Sequence, residues 1–132
     1  MAGTVLADTL QDGAGNSTTM TNAIQGSAKA WVLFNGVSGS VAIRASYNVS
    51  SVTRNSTGNY TTNFTNTLTD ANYTLSGSAE GSGSNAVVPM LYASGGANTP
   101  LGLKSASQCQ IVTTAQGSGA LDFAYISFIF HR

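Results

Sequence analysis

The chain has 132 residues, five Lys and Arg against five Asp and Glu, and a charged fraction of 8 %, where a soluble domain ordinarily has about 25 %. Its 42 % hydrophobic content suffices for one domain with a core, while zero formal net charge leaves no basic field to hold nucleic acid or an anionic membrane. With so little charge to keep copies apart, the composition favours a surface covered by other chains.

The opening "MAGTVLADTLQDGAGNS" has no positive n-region and carries Asp8 within its apolar part, so it does not read as a secretory signal. No stretch approaches the roughly 20 apolar residues of a membrane span, and no membrane insertion is expected. Residues 1–28 are rich in Gly, Ser, Thr and Asn, with Val5, Leu6, Leu10, Met20 and Ile24 as sparse apolar points. A lone chain gains little by ordering such a segment, whereas a partner could order it. It is expected to be an extended N-terminal arm, and Val5, Leu6, Leu10 and Ile24 its attachment residues.

From residue 29 on, the pattern is nearly all β. "AWVLFNG" (30–36) is an apolar run closed by Asn-Gly, a turn dipeptide, and Trp31 is expected in the core. In "SVAIRASYNV", Val41, Ile43, Ala45, Tyr47 and Val49 alternate with polar or small residues, which predicts one half-buried strand. "NSTG" (55–58) predicts a hairpin loop. In "NYTTNFTNTL", Tyr60, Thr62, Phe64 and Leu68 share the inner face, with Thr and Asn outside. "TDAN" is expected to turn the chain, and Tyr73, Leu75, Gly77 and Ala79 to line the returning strand.

"AVVPMLYASG" contains Pro89, which demotes it to an edge or irregular strand. "GLKSASQCQIVTTA" alternates weakly through Cys109, Ile111 and Thr113. The final "GALDFAYISFIFHR" puts Ala124, Ile126, Phe128 and Phe130 on one face and Tyr125 and Ile129 on the other. Both faces are large and apolar, so this strand is expected between two layers, with Phe64, Phe128 and Phe130 in the core and Tyr125 and Ile129 at a subunit interface. Short strands with frequent turns predict an all-β, antiparallel, jelly-roll-like β-sandwich over residues 29–132.

The chemical inventory is thin. His131 is the one histidine, and Asp8, Asp12, Asp70, Glu80 and Asp122 are scattered singly, with no pair spaced for shared acid–base work. One Cys and one His match no zinc spacing, and no carboxylate cluster suits calcium. The Gly-rich "GAGNS" and "GSGSNA" lack the Lys-Ser/Thr ending of a phosphate loop. Cys109 reads as a small buried apolar side chain. Six N-x-S/T triplets, headed by Asn16, Asn48, Asn55, Asn59, Asn63 and Asn72, are expected products of an Asn-, Ser- and Thr-rich composition rather than glycosylation sites. No catalytic, metal or cofactor site is expected, and hence no enzyme. Among the aromatics, Tyr92 beside Pro89 and Gly95-Gly96 is the one least committed to packing and a candidate receptor-loop residue.

The segments "AKAWVLFNG" (28–36), "VAIRASYNVSS" (41–51), "GNYTTNF" (58–64) and "DANY" (70–73), with the closing "AYISFIFHR", together resemble a domain of tail-fibre and related virion proteins of tailed bacteriophages. The resemblance covers about half the chain closely; Leu33 and Val37 depart from it, and "VVPMLYASGGANTPLG" matches nothing in it. It implies a β-rich, homotrimeric module on the virion surface, made in the host cytoplasm, with no catalytic residues to carry over. The expectation is a short fibre, knob or capsid decoration protein anchored to a major capsid or tail protein, contributing to host adsorption, through a surface glycan, or to shell stability. The competing expectation is a free carbohydrate-binding, lectin-like module.

Overall fold

A computed structural model describes residues 3, 7–37, 41–80, 104–114 and 119–132. Its strands are β1 (Thr9–Gln11), β2 (Ser17–Thr19), β3 (Ala28–Asn35), β4 (Ala42–Tyr47), β5 (Val49–Ser56), β6 (Asn59–Phe64), β7 (Thr74–Glu80), β8 (Gln108–Val112) and β9 (Tyr125–His131), with one helix, α1 (Met20–Gly26). A four-stranded sheet in the order β4-β3-β9-β7 lies over a three-stranded sheet in the order β5-β6-β8, every pairing antiparallel. The chain is an all-β sandwich.

Alternation explains which side chains meet between the sheets. In β6, Tyr60, Thr62 and Phe64 point inward; in β9, Ile126, Phe128 and Phe130 do, as the period of two requires. Cys109 and Ile111 of β8 and Val32 and Phe34 of β3 are fully buried with them. Edge-to-face aromatic pairs span the layers: Phe34 meets Tyr60 at 5.1 Å and Phe64 meets Phe130 at 5.0 Å, with Tyr73 5.8 Å from both members of the second pair.

Trp31 is a correction: it stands on the outer face, 37 % exposed, because Ala30, Val32 and Phe34 take the inward phase of β3. An unbroken apolar run carries no alternation to fix that phase; pairing of Val32 with Phe128 and Phe34 with Ile126 fixes it instead.

The single strand expected over 41–49 is two strands in two sheets. Asn48 breaks it, holding φ of 55°, the left-handed region that Asn tolerates better than most residues. Its amide group donates to the main-chain oxygens of Lys29 (3.0 Å) and Asn66 (3.1 Å), and its Oδ1 accepts from the Asn66 N–H (2.7 Å). These three bonds fix the corner at which β4 in one sheet becomes β5 in the other. A bulge opposite Leu33–Phe34 leaves Arg44 as the extra residue of β4, so the expected alternation fails; Tyr47 and Ala45 lie on the outer face and every residue of β4 is exposed.

The β5–β6 hairpin forms as expected, with Gly58 at φ of 64° in its turn. The return strand differs. β7 does not pair with β6; the chain crosses to the other sheet and β7 pairs with β9 along its whole length. Bonds from Phe64 N–H to Ser107 and from Leu68 N–H to Ala106 tie the crossing segment to the approach to β8.

The N-terminal segment is not extended over its described part. β1 and β2 pair only with each other, and the carboxylate of Asp12 closes their loop by accepting from the N–H groups of Ala14 and Asn16, both at 2.9 Å. Thr19 Oγ1 accepts from Asn22 N–H and caps α1, which packs on the hairpin. β3 starts at Ala28, where the arm was expected to end.

Candidate functional site

The outer face of the four-stranded sheet leaves several large apolar side chains uncovered. Register places Tyr47, Trp31 and Ile129 side by side across β4, β3 and β9, with Ala45, Leu33 and Ser127 in the next row. Tyr47 is 57 % exposed, Tyr125 47 % and Ile129 40 %. Tyr125 and Ile129, expected at a subunit interface, lie exposed on this outer face together with Trp31 and Tyr47. The Arg44 guanidinium lies 4.3 Å from the centre of the Tyr125 ring, a cation–π contact that the β4 bulge makes possible. Isolated exposed apolar residues are ordinary; a contiguous row over three strands is not.

The second feature is a cleft of about 540 Å³ at the end of the sandwich nearest the arm. Ile24 of α1, Lys29, Asn48, the Thr67–Thr69 crossing segment and Arg132 line it. Leu68 is its buried floor, while Ile24 remains 58 % exposed. The Lys29 ammonium donates to the Ile24 carbonyl and to Ser27 Oγ (2.9 Å), and Arg132 pairs with Asp70 at 2.5 Å. Of the other expected attachment residues, Leu10 is exposed on the hairpin at 53 %; Val5 and Leu6, like Tyr92, lie outside the described residues.

Two polar networks inside the fold were not legible as sites. Asp122, just before β9, takes two contacts from Arg54 Nε (3.1 and 3.2 Å), one from Arg54 Nη2 (2.7 Å), one from the Tyr60 hydroxyl (2.5 Å) and one from Gly58 N–H (2.8 Å). Burial raises the proton affinity of its carboxyl, but these donors outweigh that and hold it below the ordinary aspartate range. Burial, then the hydrogen bond to Asp122, pushes the Tyr60 hydroxyl upward, so the phenol stays protonated. This network fastens the β5–β6 turn to the start of β9. Around Tyr73, Lys104 Nζ donates to the main-chain oxygen at 2.6 Å and lies 4.4 Å from the ring centre. Burial raises the thiol of fully buried Cys109, which suits packing rather than nucleophilic attack.

Among the described residues, no group of three or more His, Cys, Asp or Glu could hold a metal ion, and no helix is long and apolar enough to cross a membrane. No protein-family profile, curated protein or solved structure matches the chain.

Proposed function

We propose that this chain is a non-enzymatic structural protein of a tailed-bacteriophage virion, a homotrimeric knob or decoration whose N-terminal arm joins it to a capsid or tail protein. The observation that carries the assembly half of this reading is the outer sheet face, where Trp31, Tyr47, Tyr125 and Ile129 form an exposed apolar surface in a chain of zero net charge. Covering that face with a second copy removes apolar area from water. The arm supports the attachment half: its hairpin belongs to neither layer of the sandwich and displays Leu10, with Ile24 displayed on the adjoining helix. The virion itself is inferred from the sequence resemblance.

The neighbouring exposed Trp31 and Tyr47 favour a second reading, a sugar-stacking platform on the same face. Particles lacking the protein separate the two. On the proposed reading the whole chain rejoins them, and a chain beginning at Ala28 keeps its fold but does not. Retained particle binding without the arm would remove its anchoring role; sugar binding by a monomer would favour the lectin-like reading.

A further inference from the structure

We infer that the cleft beside Lys29 and Arg132 receives the acidic β1–β2 hairpin of a second copy of the chain. This rests on the homotrimeric reading and specifies how neighbouring copies engage.

Charge is divided unequally along the chain. Asp8 and Asp12 are the only charged side chains of residues 1–28, a formal −2; residues 29–132 hold five cations against three carboxylates, a formal +2. Three of the five cations have partners away from the cleft: Arg44 lies on Tyr125, Arg54 is bound to Asp122, and Lys104 is bound to Tyr73. The remaining two, Lys29 and Arg132, line the same cleft. Both retain donor capacity, since an ammonium has three N–H groups and a guanidinium five, and the structure engages two of the first and one of the second.

The cleft offers more than charge. Thr67 and Thr69 are exposed along one wall, and Ile24 is an exposed apolar wall opposite the floor at Leu68. The hairpin matches this mixture. It carries Asp8 and Asp12, the apolar Leu10 between them, and a run of Ser and Thr in β2, all exposed. No hydrogen bond joins a copy's own hairpin to Lys29 or Arg132 among the described residues, so both surfaces are available to a neighbour. A hairpin on one surface of each copy and a cleft on another make a head-to-tail contact, which closes into a ring when each copy is turned by a third of a revolution. In this assembly the outer sheet face supplies buried area, while the hairpin and cleft set register through complementary charge.

Sedimentation analysis of the purified chain over a concentration series tests this with Asp8→Lys, Arg132→Glu and the two combined. The expected result is assembly weakened about tenfold by each single reversal, as repulsion replaces attraction, and largely regained when both are present. High salt should also weaken the unaltered assembly. The regain distinguishes a contact between copies from loss of the Arg132–Asp70 pair, which Asp8→Lys cannot restore. Single reversals without effect, or a combined variant no better than the worse single one, would overturn the contact while leaving a trimer intact. An unaltered chain that stays monomeric overturns both the contact and the trimeric reading.

Discussion

Replacing Asp122 with Asn tests the central lock of the sandwich. The substitution keeps size and shape but removes the charge toward which Arg54, Tyr60 and the Gly58 N–H all point. The amide retains one acceptor oxygen, so some of these contacts lose their acceptor or meet an NH₂ group. Hydrogen bonds to charged groups contribute about 1.5–3 kcal/mol each, and breaking a fully buried ion pair costs about 3–5 kcal/mol. The side chains of Arg54 and Asp122 keep 26 % and 16 % exposure, which softens the second figure. The expected loss is about 2–3 kcal/mol at neutral pH, read by urea denaturation. The pH dependence gives a sharper criterion. Asp122 has a folded-state pKa below its unfolded value, so its contribution is present above an unfolded pKa of about 3.9 and is lost as pH falls through the folded value. The gap between the parent and Asp122→Asn should therefore narrow in acid. A gap below about 0.5 kcal/mol at neutral pH, or one independent of pH, would refute the reasoning.

Phe130→Ala should cost about 3–5 kcal/mol, because Phe130 is fully buried against Phe64 and Tyr73; an unchanged melting temperature would contradict the core assignment. Thr62→Val should be neutral or stabilising by about 1 kcal/mol, since Thr62 Oγ1 is buried with no hydrogen-bond partner among the described residues; a loss above about 1 kcal/mol in the same denaturation assay would show that the hydroxyl has one. Asn48→Ala should destabilise by about 2–4 kcal/mol through a strained φ and three lost bonds, and Asn48→Gly by less because only the bonds are lost; equal losses would remove strain from the account.

Much of the core was legible because strict alternation in "NYTTNF" and "YISFIF" leaves one choice of inner face, and Tyr60, Phe64, Phe128 and Phe130 follow it. The phase of "AWVLF" was not, since every position is apolar and only pairing with β9 turns Trp31 outward. The β4–β5 corner was hidden for another reason. Alternation through Val49 looks continuous, and the break depends on Asn48 reaching main-chain groups of Lys29 and Asn66, which lie far away in sequence. Asp122 looked like a scattered carboxylate because its partners Arg54, Gly58 and Tyr60 come from a different hairpin. Asp12 within "DGAG" gave a local clue to the arm hairpin, as a carboxylate able to close a turn on the N–H groups just after it. The exposed row was half legible: Tyr125 and Ile129 declared themselves by being apolar on the second face of a two-sided strand, while Tyr47 joins Ile129 only because both pair with Trp31.

The sole tryptophan, Trp31, lies on the outer sheet face, so one dilution series of the purified chain, following solution mass by light scattering together with tryptophan emission, tests the assembly directly. The account predicts a mass of three times 13.4 kDa at micromolar concentration and emission that shifts to the red as dilution releases monomers and wets Trp31. A mass of one chain at every concentration, or a trimer whose emission does not change on dissociation, would contradict assembly through this face.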